Sequence, residues 1–144
     1  LATFSGQRQN ILKIHGYTVI DDAYNASPDS MKAGLKILSD YKDSGRKIAV
    51  LSDMLELGPD SPDYHREVGE FLGTADITDL YITGTLSKKY AEAAQKKNLS
   101  LKTKWFSSND ELISYLKDYL KENDVVLIKA SNGMKLYEVA KALE

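Results

Sequence analysis

Two short apolar runs, each followed by a polar loop, constrain the fold of this chain more than any other feature. Residues 47–52 (KIAVLS) and Val125–Lys129 (VVLIK) are almost continuously aliphatic. Such runs are typical of central parallel strands, because both faces of those strands are buried. Successive parallel strands are joined by long crossovers, which are usually helices. The two runs therefore predict an α/β domain with a mainly parallel sheet.

The rest of the chain alternates strand and helix patterns. Residues 9–15 predict an edge strand, and Gly16 turns the chain so tightly into the next strand that the two must be antiparallel. Short strands are also predicted at residues 80–83 and 103–106. Apolar residues at helical spacing begin near residues 29, 62, 87, 108 and 136. Together they predict one three-layer α/β/α domain over residues 1–144, with a mostly parallel sheet of about six strands and an antiparallel edge strand.

Composition narrows the classes of partner. A hydrophobic fraction of 42% and a charged fraction of 28% are those of a globular domain. A net charge of -2 attracts neither nucleic acid nor an anionic membrane, so we expect no nucleic-acid partner. The absence of cysteine excludes disulfides and thiolate chemistry and fits a cytoplasmic location. No apolar run approaches the roughly 20 residues of a membrane span, and we expect no membrane insertion.

The amino terminus and the missing motifs predict an incomplete site. The chain starts at Leu1 and not at methionine, and residues 1–4 do not resemble a signal peptide. We therefore expect a part of a longer protein. The sequence contains no GxxxxGK(S/T) phosphate loop, GxGxxG, HExxH or GxSxG motif. We expect this domain to supply only one side of any nucleotide site.

Residues 17–31 (YTVIDDAYNASPDSM) combine a strand, a polar elbow at residues 24–27 and the start of a helix. Ser27 is predicted as the N-cap, with Pro28 at the first helical position. A strand end that leads into a helix amino terminus is the usual place for an anionic ligand in an open α/β sheet. Asp22 can accept hydrogen bonds from two ribose hydroxyls, or, like Asp21, it can merely satisfy loop amides.

Two other strands end in similar polar loops, at residues 52–58 and 130–133. Parallel strands deliver such loops to one edge of a sheet, so we expect all three loops to line one crevice. Asn25 can be a turn residue or a ligand. Asp53 and Glu56 can be solvated acids, or they can hold a hard cation or position an amine.

Three further candidate side chains are cationic or titratable. Lys129 ends a buried strand, so its ammonium must reach the crevice or find a carboxylate. Arg8 can be a surface charge, or its guanidinium can stack on a base or contact phosphate. We expect His65, in the first turn of its helix, to be a surface residue.

Four ordered motifs resemble the carboxyl-terminal domain of MurF-type ligases, which act in bacterial cell-wall synthesis. The motifs are GQR, IDDAYNASPDSMKAGL, LSDMLELGPDS followed by HREVG, and VLIKASNGMKLYEVAKAL. The resemblance spans essentially the whole chain. It implies an enzyme of three domains: one for the UDP-sugar, a central ATPase domain with the phosphate loop, and a Rossmann-like third domain that closes over the site. Only the third would be present here.

The resemblance also implies a reaction and a set of site residues. ATP, with Mg²⁺, would phosphorylate the carboxylate of UDP-N-acetylmuramoyl-tripeptide, and the amine of D-alanyl-D-alanine would attack the acyl phosphate. The domain alone would be inactive and would not bind Mg²⁺ by itself. The residues implied on the ATP side are Arg8, Asp22 and Asn25. Those implied on the dipeptide side are Tyr24, Ser27, Asp53, Glu56, Lys129 and Ser131, with Lys129 a candidate for the dipeptide carboxylate.

Two departures and two alternatives stand beside this interpretation. Asn132 occupies a position where many relatives carry Arg, and Ser52 one where many carry Gly, so we assign no carboxylate clamp to Asn132. One alternative is a ligase that adds another amino component, as MurE-type enzymes add a diamino acid, although their DNPR-like signature is absent. The other is a stand-alone nucleotide-binding or receiver-like module phosphorylated at Asp53.

Overall fold

A computed structural model describes residues 10–42 and 44–144 of the chain. Its elements are β1 (Asn10–Ile14), β2 (Tyr17–Asp22), α1 (Pro28–Asp40), β3 (Lys47–Leu51), α2 (Ser61–Thr74), β4 (Asp79–Ile82), α3 (Lys88–Lys97), β5 (Lys102–Trp105), α4 (Asn109–Tyr119), β6 (Val125–Lys129), a 3-10 helix (Asn132–Met134) and α5 (Tyr137–Leu143). None of the helices in the described ranges has the length and apolar character needed to cross a membrane.

The strands form one sheet in the order β1-β2-β6-β3-β4-β5. β1 and β2 are antiparallel, whereas every other neighbouring pair is parallel. The predicted mostly parallel sheet with an antiparallel edge strand is therefore confirmed. The two apolar runs, β3 and β6, lie side by side in the interior of the sheet. Their side chains are buried on both faces of the sheet, which is why neither strand shows polar alternation.

Each face of the sheet carries its own apolar core. Ile20, Leu51 and Leu127 face the core that is covered by α1, α2 and α3. Val19 and Val126, one residue away along the same strands, face the core on the opposite side with α4 and α5. This alternation produces the three predicted layers, because successive side chains of a strand point to opposite faces.

The start of α1 follows the predicted local chemistry. The Ser27 hydroxyl accepts a hydrogen bond from the Ser30 amide at 3.1 Å, and the Ser30 hydroxyl accepts one from the Ser27 amide at 2.9 Å. Pro28 occupies the first helical position. This reciprocal capping box satisfies two amides that a helix leaves without partners.

Several element boundaries differ from the predicted ones. β4 and β5 each begin one residue earlier than their apolar patterns, at Asp79 and Lys102, which pair with each other. The buried Asp79 carboxylate accepts from the hydroxyls of Tyr81 and Tyr119, so a charged residue can begin a buried strand. β2 ends at Asp22, as predicted, and Asp22 pairs with Lys129 in β6.

Candidate functional site

The loops after β3 and β6 are joined by two hydrogen bonds, one of them between backbone groups. The Leu55 amide donates to the Ser131 hydroxyl at 2.8 Å, and the Ser131 amide donates to the Asp53 carbonyl at 3.2 Å. Because β2, β6 and β3 are neighbours and parallel, the loop after β2 lies at the same edge of the sheet. The expected convergence of three polar loops is therefore observed. Ser131 acts in it as a link between two of the loops.

Lys129, at the end of β6, connects the third loop. Its Nζ donates to Asp22 Oδ2 at 2.7 Å and to the Asn25 carbonyl at 3.0 Å. Its side chain is only 3% exposed and that of Asp22 only 9%. Gly34 makes room for the lysine stem, because a Cβ at Gly34 would lie 3.1 Å from Lys129 Cδ. The ammonium of Lys129 is thus paired with a carboxylate. Its two hydrogen bonds fix both the Asp22 side chain and the backbone of the elbow.

Asp21 and Asp22 do not form a shared acidic pocket. They are successive residues of β2 and point to opposite faces of the sheet. Asp21 is buried, and no described residue hydrogen-bonds its Oδ1. Burial raises the pKa of Asp21, and the charges of Asp22 and Glu144 raise it further, while a hydrogen bond from the Ala23 amide opposes the shift. Only Asp22 faces α1 and the elbow.

Asp53 is a buried structural acceptor in this structure. Its Oδ1 accepts from both the amide and the hydroxyl of Ser87 at 2.8 Å. Gly84 lies directly against this carboxylate, since a Cβ there would be 2.5 Å from Asp53 Oδ1. Asp53 therefore fixes the connection from β4 to α3. Its expected contact with a ligand remains a prediction, and this oxygen is already hydrogen-bonded.

His65 was expected at the surface, and that expectation is wrong. The side chain is fully buried, its Nε2 accepts from the Met54 amide at 3.0 Å, and its Nδ1 lies 2.7 Å from the Ser61 carbonyl. The sequence carried a signal for this burial. His65 lies three residues before Val68 and seven before Leu72, on the apolar stripe of α2.

An open groove runs between the start of α1, the loop after β3 and α2. Its volume is about 450 Å³. It is lined by Ser27, Pro28, Asp29, Glu56, Leu57, Tyr64 and Glu67. Glu56 is exposed and has a left-handed backbone, with φ of 61°. The carboxylates of Asp29 and Glu56 make the groove suited to a cationic group, whereas that of Glu67 is already paired with Lys32. Tyr64, Glu67 and Asp29 were not among the predicted site residues.

The remaining predicted residues lie around this edge. Tyr24 is 41% exposed and stacks on Tyr137, with ring centroids 6.2 Å apart and an interplanar angle of 2°. The Asn25 residue is exposed, and its carbonyl is held by Lys129. Arg8 lies outside the described residues. Across residues 10–42 and 44–144, no three His, Asp or Glu side chains are grouped so that they could hold a metal ion.

Known proteins share this domain. The family model described as Mur ligase, glutamate ligase domain, matches residues 7–132. The UDP-N-acetylmuramoyl-tripeptide--D-alanyl-D-alanine ligase of Bacillus subtilis is 36% identical over 140 residues, which cover 96% of this chain and 31% of the relative. The ligase of the same name from Rickettsia prowazekii is 34% identical over 132 residues, covering 92% of this chain and 28% of the relative. The chain therefore spans about a third of the length of these relatives.

Solved structures agree with the sequence comparison. A MurF ligase from Thermotoga maritima, in complex with ADP, superposes with a TM-score of 0.74 at 31% identity, over 99% of this chain and 31% of that chain. A MurF from Acinetobacter baumannii gives a TM-score of 0.81 at 25% identity, over 99% of this chain and 31% of that chain. Since the family model covers most of the sequence and the relatives share its fold, the chain belongs to the Mur ligase family.

Proposed function

We propose that this chain is the third domain of an ATP-dependent ligase that adds D-alanyl-D-alanine to UDP-N-acetylmuramoyl-tripeptide through an acyl phosphate. The observation that carries the proposal is the shared edge of β2, β6 and β3. There Lys129 holds Asp22, and the groove lined by Asp29 and Glu56, called the acidic groove below, opens between α1 and the loop after β3. The chain spans about a third of relatives with this named activity, which supports two further domains in the same polypeptide. Those domains would supply the triphosphate cradle and the UDP-sugar site.

On the nucleotide side, Asp22 is the central residue of the proposal. Lys129 occupies Asp22 Oδ2, and no described residue donates to Oδ1. A carboxylate with one oxygen fixed and the other available is well placed to accept from a ribose hydroxyl. The exposed Asn25 side chain would contact the same nucleotide, as would Arg8. Mg²⁺ would bind with ATP in the complete enzyme, through residues outside this domain.

On the amino side, the acidic groove is the proposed entry for the dipeptide. Glu56 and Asp29 place negative charge where the ammonium of D-alanyl-D-alanine would enter, while the charge of Glu67 is compensated by Lys32. Ser27 and Tyr24 lie on the elbow at the same edge. The buried ammonium of Lys129 already has two acceptors, which favours a positioning role for Lys129 over direct contact with the dipeptide carboxylate. Ser131 and Asp53 would likewise support the loop that carries Glu56.

The test uses the full-length ligase of which this chain is the carboxyl-terminal part. We expect ATP-dependent phosphate release that requires both UDP-N-acetylmuramoyl-tripeptide and D-alanyl-D-alanine. Asp22→Asn should raise the KM for ATP at least about tenfold, the effect of losing a charge-assisted hydrogen bond, with little change in the KM for the dipeptide. Asp21→Asn is the matched control, because this neighbour faces the other side of the sheet. An unchanged KM for ATP in Asp22→Asn would refute the ribose assignment.

A ligase for another amino component is the second candidate, since the family contains more than one such enzyme. Phosphate release with a diamino acid or a single amino acid in place of the dipeptide would favour it. A receiver-like module is disfavoured by geometry. Asp21 and Asp22 face opposite sides of the sheet, and Asp53 Oδ1 is held by Ser87. Phosphorylation of Asp53 by a small phosphodonor would restore that alternative.

We also propose a bacterial cytoplasmic location for the complete enzyme. The relatives named above come from bacteria, and ATP and UDP-linked substrates are cytoplasmic metabolites. The sequence contains no cysteine, which is compatible with a reducing compartment.

A further inference from the structure

We propose that His65 is a positioning residue whose neutral imidazole fixes the loop after β3 and thereby places Glu56 in the acidic groove. The structural part of the inference stands on contacts within this domain. Its consequence for the dipeptide rests on the function proposed above. His65 itself lies behind the loop, fully buried, and does not line the groove.

The hydrogen bonds of His65 require one tautomer. The Met54 amide N–H can only donate a hydrogen bond. Nε2 of His65 must therefore accept this bond and carry no proton. The proton then resides on Nδ1, which donates to the Ser61 carbonyl at 2.7 Å. A neutral ring with this tautomer satisfies both partners at once. An imidazolium would carry a proton on Nε2 and would oppose the Met54 amide with a second donor.

The surroundings of the ring favour the neutral form. Burial lowers the pKa of His65, and this effect exceeds the opposing influence of the Ser61 carbonyl and of the Asp53 charge. The charge that acts on the ring is that of Asp53, on the loop after β3, and its Oδ1 already accepts from Ser87. From α3, the Tyr90 ring lies 5.0 Å away and its hydroxyl donates to the Ser52 carbonyl at 3.0 Å.

The contact acts on the residues directly before Glu56. His65 holds the Met54 amide, and the next amide, that of Leu55, donates to Ser131. Glu56 then adopts its left-handed backbone and, with Leu57, forms one wall of the groove. Two successive fixed amides therefore set the direction in which the chain reaches Glu56. Without the Nε2 acceptor, the Met54 amide would be buried and unpaired, and the loop would have to move.

Amide hydrogen exchange of this chain, followed by NMR, tests the structural part. In the wild type, the Met54 amide should be protected at neutral pH and lose protection as the pH falls through the lowered pKa of His65. In His65→Gln, Oε1 can still accept from Met54, and protection should persist without this pH dependence. In His65→Leu, the Met54 amide should lose its protection. Protection that is unchanged by acid in the wild type, or by His65→Leu, would overturn the inference.

Steady-state kinetics of the full-length ligase test the functional part. We expect His65→Leu to raise the KM for the dipeptide about tenfold, because a displaced loop misplaces the amine, while the KM for ATP changes less than about twofold. His65→Gln should restore the dipeptide KM to within about threefold of the wild type. Equal losses for both variants, or equal effects on both substrates, would overturn the positioning role.

The two experiments separate failure of this inference from failure of the proposed function. If the enzyme shows no requirement for D-alanyl-D-alanine, the proposed function is wrong, and the exchange behaviour of Met54 still decides whether His65 fixes the loop. If the enzyme requires the dipeptide and His65→Leu leaves its KM unchanged, the function stands and the positioning role is wrong.

Discussion

The ammonium of Lys129 lies 2.7 Å from Asp22 Oδ2, across two neighbouring parallel strands. The same ammonium binds the Asn25 carbonyl, so one buried cation joins the ends of β2 and β6 to the elbow that precedes α1. A buried pair of this kind is weak evidence for net stability, yet removal of one partner is costly. Its value for a site is that it fixes the orientation of the carboxylate.

Removing one partner of this pair should destabilise the domain strongly. We expect Lys129→Met and Asp22→Asn each to lower the free energy of unfolding, Lys129→Met by about 3–5 kcal/mol because it leaves an uncompensated buried charge. The double variant should lose less than the sum of the two, because no unpaired charge remains. Urea denaturation measures all three. Lys36→Met, in the exposed Lys36–Asp40 pair, is the control and should change stability by less than about 0.5 kcal/mol.

The close packing of α2 on α3 depends on glycine. A Cβ at Gly69 would lie 2.4 Å from the Tyr90 carbonyl oxygen, and a backbone atom cannot swing aside. Gly69→Ala should therefore lower the free energy of unfolding by about 2–3 kcal/mol, although alanine favours a helix by about 1 kcal/mol. In Gly45→Ala the new methyl meets its nearest atom at 3.4 Å, and stability should change little. Equal midpoints of thermal unfolding for the two variants would contradict this packing argument.

The buried Asp21 should make stability depend on pH. Since its pKa is raised in the folded state, the folded form favours the protonated carboxyl, and this contribution is present below the unfolded pKa and is lost as the pH rises through the folded pKa. Asp21→Asn removes the buried charge and should stabilise the domain at pH 7. At a pH below the unfolded pKa the two proteins should differ much less. A constant difference across a series of urea titrations at different pH values would show that Asp21 is not the source.

Arg46 and Asp124 form a two-pronged ion pair at the amino-terminal ends of β3 and β6. Arg46 Nε and Nη2 donate to the Asp124 carboxylate at 3.0 and 2.6 Å, and the Lys121 amide donates to the same carboxylate at 2.9 Å. Arg46→Lys keeps the positive charge but cannot make the two parallel hydrogen bonds. We therefore expect a loss of about 1–3 kcal/mol in the free energy of unfolding.

The exposed pair of Arg66 with Asp63 supplies the control for this variant. Arg66→Lys should change the free energy of unfolding by less than about 0.5 kcal/mol. Comparable losses for the two lysine variants, measured by the same urea titration, would mean that the paired hydrogen bonds of Arg46 to Asp124 make no specific contribution to stability.

The sequence predicted the layers of the fold and the edge that carries the site, but it did not predict which polar groups pair. The order of strands and helices follows from the periodicity of apolar residues, and the Ser27 cap depends on residues within one helical turn. Both signals are local. The position of His65 in a first helical turn predicted exposure, and this was wrong because His65 also lies on the apolar stripe of α2.

The sequence by itself determined the α/β class, the two central strands, the capped start of α1 and the convergence of three polar loops at one edge. These follow from short-range periodicity and from the rule that parallel strands end at the same side of a sheet. Only the tertiary structure decided that Lys129 pairs with Asp22, 107 positions away, and that Asp53 pairs with Ser87, 34 positions away. The physical reason is that a buried charge takes whichever partner the packed sheet brings within hydrogen-bond distance, and no local pattern encodes that partner.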